Sequence, residues 1–122
     1  MAGELALVVD DNPRNLRLAR DVLELGGFRT AEAATGAEGI AQALALAPDV
    51  VLMDIRLPDL DGAEVTRRLK EDPRTAGIPV IALTSLAMKG DREWLLASGF
   101  DGYLEKPISV GEFAEQVRRH CR

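Results

Sequence analysis

Five short apolar runs alternate with five longer stretches of mixed polarity along the chain, and this alternation constrains its fold more than any other feature. The runs have the length of buried strands, and the stretches between them have the length and apolar spacing of helices. Strands that alternate with helices form βαβ units, in which the strands are parallel. We therefore predict strands at 5–9, 28–33, 50–54, 80–84 and 102–105, with helices at 13–25, 36–46, 63–71, 88–98 and 109–120.

The apolar pattern also orders the strands within the sheet. The run at 50–54 is apolar until its final aspartate, which is typical of a central strand covered on both faces. The run at 28–33 alternates between apolar and polar residues, which is typical of an edge strand.

Local signals at the predicted helix ends support these boundaries. A helix often begins after a residue whose side-chain oxygen accepts from the first free backbone N–H groups, with an acid three residues later in a capping box. Start signals occur at Asn12–Pro13, Thr35–Glu38 and Ser109–Glu112, and helix-ending glycines occur at Gly26, Gly27 and Gly99. Asp59 and Asp61 are also explained best as cap or turn residues.

The composition favours a single globular domain over residues 1–122, with no nucleic-acid or membrane function. Apolar residues make up 47% of the chain and charged residues 29%, while the net charge of -5 argues against nonspecific binding to DNA or to anionic lipid. No basic signal-peptide region and no apolar run long enough to cross a bilayer are visible, so we expect a cytoplasmic protein. The single cysteine, Cys121, has no partner for an internal disulfide, and we expect a surface thiol.

Charged side chains follow three of the predicted strands. Asp10 and Asp11 follow the first strand, Asp54 ends the third, and Lys106 follows the fifth. Because ligands bind at the carboxyl ends of the strands in an open parallel sheet, we expect these four side chains to converge. Clustered carboxylates repel unless a cation lies between them, and oxygen ligands at a phosphate-type site favour Mg²⁺. The pattern therefore predicts a site that moves a phosphoryl group onto an aspartate.

Segments spread over nearly the whole chain resemble the receiver domain of bacterial two-component response regulators, including the stand-alone chemotaxis and cell-cycle types. Each segment alone is weakly specific, but the ordered set is highly specific. The segments are Val8–Asn12, Leu52–Asp54, Leu57–Gly62, Ile81–Ser85 and Gly102–Pro107. The resemblance implies an α/β fold, a flavodoxin-like (βα)₅ sandwich whose five-stranded parallel sheet has the strand order 2-1-3-4-5.

The resemblance also implies a role for each residue of the site. Asp54 would be the phospho-acceptor, a legitimate nucleophile that forms an acyl phosphate. Asp11, the Asp54 side chain and the backbone carbonyl of Arg56 would bind Mg²⁺, and Asp10 would act through a metal-bound water. Lys106 would pair with Asp54 before transfer and with a phosphoryl oxygen afterwards.

Further residues would carry the response to phosphorylation. Thr84 would donate its hydroxyl to a phosphoryl oxygen, and Tyr103 would turn into the space that Thr84 vacates, so that the two form a switch. The Lys106–Pro107 bond resembles the family's cis peptide, a geometry accessible essentially only before proline.

The implied function is phosphorelay signalling by a domain that is not a turnover enzyme but assists its own phosphorylation and dephosphorylation. A histidine kinase or a histidine-phosphotransfer protein would be the donor. An unknown downstream protein would bind the face made by the fourth helix, fifth strand and fifth helix, with Trp94 as an anchor because its helical neighbours are small or polar. We expect no direct DNA binding, no membrane association, and a monomer or a weak phosphorylation-dependent dimer.

Four alternatives stay open at this point. The chain could be a receiver module of a hybrid histidine kinase or longer regulator, although we expect a stand-alone domain. A haloacid-dehalogenase-like phosphatase also uses a strand-end aspartate and Mg²⁺, but that family has a second acid two residues after the nucleophile, where Arg56 stands. A constitutive scaffold would bind its partner without any phosphate. Trp94 could also pack beside Leu95 as an ordinary core residue.

Overall fold

The computed structural model describes residues 3–84, 89–106 and 108–121, and only the backbone of residues 89–92. Within these ranges five strands alternate with five helices, as the apolar pattern predicts. The strands are β1 (Leu5–Val9), β2 (Arg29–Ala33), β3 (Val50–Asp54), β4 (Val80–Thr84) and β5 (Gly102–Glu105). The helices are α1 (Pro13–Leu25), α2 (Gly36–Leu46), α3 (Gly62–Glu71), α4 (Lys89–Ala97) and α5 (Phe113–His120).

The strands form one parallel sheet in the order β2-β1-β3-β4-β5, which confirms the predicted topology. Strand β3 is central and strand β2 is at an edge, as their apolar patterns indicate. The register pairs Val9 with Met53, Asp54 with Leu83, and Thr84 with Glu105. The carboxyl ends of β1, β3, β4 and β5 therefore lie next to one another.

Each face of the sheet carries its own apolar core, because successive side chains of a strand point to opposite faces. On one face, Val51 and Met53 of β3 pack with residues of α2, α3 and α4. On the other face, Val50 and Leu52 of the same strand pack with residues of α1 and α5. This two-sided burial explains why β3 contains no polar residue before Asp54.

Two of the predicted helix starts are confirmed in atomic detail. The Asn12 side chain accepts from the backbone N–H of Arg14 at 2.9 Å and caps α1. The Thr35 hydroxyl accepts from the N–H of Glu38 at 3.1 Å and caps α2. The Glu38 carboxylate accepts in turn from the N–H of Ala34 at 2.8 Å, so the acid of the capping box also takes part.

The predicted start of the last helix at 109 is wrong. Helix α5 begins at Phe113, and its N-cap residue Glu112 makes no side-chain cap hydrogen bond. The N–H groups of Glu112 and Phe113 instead donate to the carbonyl of Ser109, at 3.2 and 2.9 Å. A backbone turn therefore satisfies these donors, and the capping-box spacing of Ser109 and Glu112 does not start a helix. The predicted beginning of α4 at 88 lies outside the described residues.

Cys121 is not the surface thiol that its place near the end of the chain suggests. It is half-buried and packs against the core shared by α1 and α5. Burial raises the pKa of its thiol to about 11, so the reactive thiolate is scarce at neutral pH. Among the described residues, no helix combines the length and the apolar character that crossing a bilayer requires.

Candidate functional site

A cleft of about 380 Å³ opens at the carboxyl ends of β1, β3 and β4. Its walls contain almost every residue that the sequence assigns to the site, which is the position that the parallel sheet predicts. The lining residues are Asp10, Asp11, Asn12, Asn15, Asp54, Ile55, Arg56, Leu83, Thr84 and Lys106. Tyr103 is placed elsewhere: it is half-buried against the core on the α2–α4 face and lines a separate groove beside α5.

Three carboxylates converge in this cleft. One oxygen from each of Asp10, Asp11 and Asp54 lies within 4.8 Å of the other two. Asp10 is 1% exposed and Asp11 is exposed, so the cluster runs from the protein interior to the solvent. Three oxygen donors of this kind suit a hard divalent cation such as Mg²⁺, which keeps several of its own waters and binds few protein carboxylates. The donor set therefore fits the metal that the sequence predicts.

Lys106 lies between two of the carboxylates. Its Nζ is 3.2 Å from Oδ2 of Asp10 and 3.5 Å from Oδ1 of Asp54. The shorter contact is a hydrogen bond to the buried Asp10, whose other oxygen accepts from the backbone N–H of Asn12 at 2.9 Å. The sequence argument pairs Lys106 with Asp54 alone and does not anticipate that Asp10 shares the ammonium. Two negative charges therefore share one positive charge.

The environment of Asp54 disfavours its charged form. Burial raises the pKa of Asp54 above its ordinary value, the Lys106 ammonium lowers it, and the Asp10 carboxylate raises it again. The net effect is a raised pKa. The charged form of Asp54 is therefore disfavoured in the metal-free site, and a bound cation would stabilise it.

Thr84 completes the inner wall of the cleft. It is the last residue of β4 and is 4% exposed. Its carbonyl accepts from the backbone N–H of Lys106 at 2.9 Å, so the end of β5 is held beside the end of β4. This hydrogen bond places the backbone of Lys106 at the edge of the cleft. Pro107 lies outside the described residues, so the predicted cis bond between Lys106 and Pro107 stays a prediction.

The family model of the response regulator receiver domain matches residues 6–118. The chain belongs to this family. The polar-differentiation response regulator DivK of Brucella ovis is 43% identical over 114 residues, which cover 93% of each protein.

Solved receiver domains have the same fold. The receiver domain of the sensor histidine kinase PA1611 from Pseudomonas aeruginosa is 37% identical with a TM-score of 0.88, covers 98% of each chain, and has a magnesium ion coordinated in its active site cleft. A putative response regulator from Chloroflexus aurantiacus is 27% identical with a TM-score of 0.89, over 96% of each chain.

Membership of the receiver family confirms the resemblance and places the chain in two-component signalling. The family match and these relatives give no support to the haloacid-dehalogenase-like alternative. The acidic cluster of this receiver domain is consistent with the magnesium-binding cleft of the family. The role of each residue in the cleft stays a proposal.

A glycine that the sequence argument did not single out shapes the floor of this receiver site. Gly62 is the first residue of α3, and its N–H donates to the carbonyl of Ile55 at 2.7 Å, which closes the base of the loop between β3 and α3. A Cβ at Gly62 would lie 2.5 Å from the carbonyl oxygen of Asp54 and 2.9 Å from Cα of Ile55. Only glycine therefore lets α3 begin this close to the backbone of Asp54 and Ile55. In the sequence, the only indication that Gly62 matters is its position at the end of the segment Leu57–Gly62, which resembles the receiver family.

The raised pKa of Asp54 predicts a measurable gain of stability in the metal-free Asp54→Asn variant. When the pKa of a carboxyl is raised in the folded state, the protein is most stable at a pH below the ordinary aspartate pKa, and it loses stability as the pH rises through the raised pKa and the carboxyl ionises. The amide that Asp54→Asn introduces does not ionise, so the variant does not lose this stability. We expect the Tm at pH 7 in EDTA to rise by about 3–6 °C, the shift that roughly 1 kcal/mol produces in a domain of this size.

The pH dependence supplies the control for this prediction. Wild type and Asp54→Asn should melt at the same temperature near pH 3, where Asp54 is protonated in the wild type. An equal or lower Tm for the variant at pH 7 would show that ionisation of Asp54 costs no stability.

Proposed function

We propose that this receiver domain accepts a phosphoryl group from a phosphohistidine donor onto Asp54 in a Mg²⁺-dependent reaction and thereby switches a protein-binding face. The observation that supports this best is the convergence of three carboxylates within 4.8 Å, with Lys106 in contact with two of them. Three carboxylates this close repel one another and destabilise the folded chain unless a cation binds between them, so a purely structural role does not account for the cluster.

The proposed transfer needs few protein groups. An oxygen of Asp54 attacks the phosphorus, the bond from phosphorus to the donor's imidazole nitrogen breaks, and the electron pair returns to that nitrogen. Mg²⁺ would be held by Asp11, the Asp54 side chain and the Arg56 carbonyl, with Asp10 acting through a water, and when bound it offsets charge on the transferring oxygens. Lys106 pairs with one phosphoryl oxygen of the product, and Thr84 donates its hydroxyl to another.

A small phosphoryl donor tests this assignment. Wild-type protein incubated with acetyl phosphate and Mg²⁺ should gain the mass of one phosphoryl group, whereas Asp54→Asn or wild type in EDTA should gain none. Asp21→Asn, which removes an exposed carboxylate of α1 far along the helix from the cleft, serves as the charge-matched control and should be labelled like wild type. Intact-mass spectrometry reads the result, and full labelling of Asp54→Asn would overturn the assignment.

The proposed switch couples Thr84 to Tyr103. Thr84 is buried at the end of β4, and Tyr103 lies on the neighbouring strand β5, in register with Ala82. A phosphoryl group that draws the Thr84 hydroxyl toward it would open space into which the half-buried Tyr103 ring can turn. Such a group shifts the equilibrium only by binding one arrangement better than the other.

The proposed partner face is made by α4, β5 and α5. Trp94 is 48% exposed while its neighbour Leu95 is 1% exposed, so the prediction of an exposed indole is confirmed and the core alternative for Trp94 is wrong. Leu96 and Val110 are also exposed, at 55% and 65%. Exposed aromatic residues are enriched among binding hot spots, which supports Trp94 as an anchor.

One pull-down tests the switch and the face together. The bait is loaded with beryllofluoride, a phosphoryl mimic, or left unloaded, and partners are identified by mass spectrometry. Thr84→Ala should capture the wild-type partner with little gain from beryllofluoride, and Trp94→Ala should lose about tenfold or more in partner affinity. Trp94→Ala should keep the wild-type Tm. A wild-type response in Thr84→Ala would refute the coupling, and unchanged capture by Trp94→Ala would refute the anchor.

The proposed partners follow from the family. A histidine kinase or a histidine-phosphotransfer protein is the donor, and we place the domain in the cytoplasm with such donors. The chain as a whole, 1–122, is proposed as one receiver domain that is monomeric or a weak phosphorylation-dependent dimer and does not bind DNA directly. The chain matches 93% of a DivK response regulator and 98% of the receiver domain of the kinase PA1611, so the stand-alone interpretation and the module interpretation both stay proposals.

A further inference from the structure

The carboxylate of Asp59 ties two parts of the receiver domain that are distant in sequence. Asp59 lies in the loop 55–61 that joins β3 to α3, and its two oxygens accept from the N–H groups of Gly36 and Ala37 at 2.8 and 3.0 Å. Its Oδ1 also accepts from the N–H of Leu60, at 2.9 Å. A loop residue therefore caps a helix 23 positions earlier in the chain.

This tie is favourable although the Asp59 side chain is exposed. The first N–H groups of a helix have no partner within the helix, and the N-terminal end carries partial positive charge. Hydrogen bonds to a carboxylate are stronger than those between neutral groups. The N–H groups of Gly36 and Ala37 lower the pKa of Asp59, which agrees with a carboxylate that is bound in its charged form.

Close packing shows that α2 and the loop are fitted to each other. A Cβ at Gly36 would lie 2.7 Å from Cγ2 of Val65 and 3.2 Å from Cβ of Leu60, so only a glycine allows the start of α2 to approach this near. Leu57 and Leu60 are half-buried and pack against the core on the same face. The loop is thus anchored by apolar contacts on its inner side and by Asp59 on its outer side.

We propose that Asp59 is a positioning residue for the metal and phosphoryl site. The inference rests on the proposed function, because it concerns the Arg56 carbonyl as a ligand of Mg²⁺. Arg56 lies three residues before Asp59. The base of this loop is held by the antiparallel bridge of Arg56 with Asp61, by the contact of Arg56 N–H with Oδ1 of Asp54 at 3.5 Å, and by the hydrogen bond from Gly62 N–H to the Ile55 carbonyl. The Asp59 tie fixes its far side and so holds the Arg56 carbonyl toward Asp11 and Asp54.

Magnesium makes the site sensitive to such positioning. The ion demands near-ideal octahedral geometry at short distances, so a carbonyl that drifts is a poor ligand. Residues that orient a ligand without touching the metal commonly change its affinity by about 10–100-fold. Loss of the Asp59 tie should therefore weaken Mg²⁺ binding without removing any ligand.

Three variants separate positioning from charge and from helix stability. Asp59→Ala removes the tie, and Asp59→Asn removes the same charge but keeps an acceptor oxygen. Thr35→Ala removes the other cap of α2, the bond from Glu38 N–H to the Thr35 hydroxyl, and leaves the loop untouched. The dissociation constant of Mg²⁺ is measured for each by isothermal titration calorimetry, together with the Tm in EDTA and the initial rate of labelling by acetyl phosphate against Mg²⁺ concentration.

We expect Asp59→Ala to bind Mg²⁺ about tenfold more weakly than wild type. Asp59→Asn should bind Mg²⁺ at least about threefold more tightly than Asp59→Ala, because its amide oxygen can still accept from the N–H groups of α2. Thr35→Ala should lower the Tm as Asp59→Ala does and keep the wild-type affinity. Saturating Mg²⁺ should restore the labelling rate of Asp59→Ala.

Three results would overturn the inference. The first is a wild-type affinity of Asp59→Ala for Mg²⁺, and the second is a loss of Mg²⁺ affinity in Thr35→Ala as large as that in Asp59→Ala. The third is a Mg²⁺ affinity of Asp59→Asn no higher than that of Asp59→Ala, which would assign the effect to the lost charge alone. A wild-type protein that neither binds Mg²⁺ nor accepts a phosphoryl group would instead refute the proposed function, and the inference with it.

Discussion

Replacing Gly62 with alanine should lower the free energy of unfolding by about 2–4 kcal/mol, at or above the usual cost of an extra methyl group in a packed site. The added Cβ would meet the carbonyl oxygen of Asp54 at 2.5 Å and Cα of Ile55 at 2.9 Å. Both atoms belong to the backbone at the end of β3, so relief of the clash requires that β3 or α3 moves. Alanine's better helix propensity, worth at most roughly 1 kcal/mol in a helix interior and less at the first helical position, offsets only part of this cost.

Urea denaturation of Gly62→Ala beside a matched glycine variant measures the effect. Beyond Gly111 itself and its two chain neighbours, a Cβ at Gly111 would meet no atom within 4 Å, so Gly111→Ala should change the free energy of unfolding by less than about 0.5 kcal/mol. The same displacement should weaken Mg²⁺ binding by Gly62→Ala, because it moves the Asp54 backbone. Similar stabilities for the two alanine variants would show that the approach of α3 to β3 is not tight.

Asp11 is a proposed Mg²⁺ ligand, and Asp11→Ala should weaken Mg²⁺ binding by about 100-fold or more, because a lost ligand costs at least as much as the loss of a residue that only orients one. Asp11 is the exposed member of the cluster, so its removal exposes no core and relieves repulsion from Asp10 and Asp54. The metal-free variant should therefore melt at the wild-type temperature or above it, although its metal site is damaged.

The matched control for Asp11→Ala is Asp21→Ala. Asp21 is an exposed carboxylate on α1 that pairs with Arg20, and its removal changes the net charge by the same amount. Calorimetric titration with Mg²⁺ should give wild-type affinity for Asp21→Ala and a large loss for Asp11→Ala. Equal affinities for the two variants would contradict the ligand role of Asp11.

The features that were predictable from the sequence depend on local periodicity or on the ends of strands. The apolar run before Asp54 identifies a strand that is buried on both faces, and the order of the strands follows from the family resemblance. The convergence of Asp10, Asp11 and Asp54 follows because the carboxyl ends of parallel strands share one edge of the sheet. The small neighbours of Trp94 along α4 predicted its exposure for a similar local reason.

The features that were missed depend on contacts between distant segments or on competing local bonds. Asp59 has the sequence signature of an ordinary turn residue, and only the folded chain brings it to the start of α2. The shorter contact of Lys106 with Asp10 depends on the burial of that carboxylate. Ser109 and Glu112 have capping-box spacing, but a backbone turn satisfies the same donors.

The central claim is that Asp54 alone becomes an acyl phosphate when Mg²⁺ is present. Wild-type protein labelled with acetyl phosphate is treated with borohydride, which reduces an aspartyl phosphate to homoserine, and the position of the homoserine is found by peptide mass spectrometry. We predict homoserine at position 54 in the sample with Mg²⁺ and at no position in the sample with EDTA. Homoserine at Asp10, Asp11 or any other aspartate, or homoserine at position 54 in EDTA, would contradict the account.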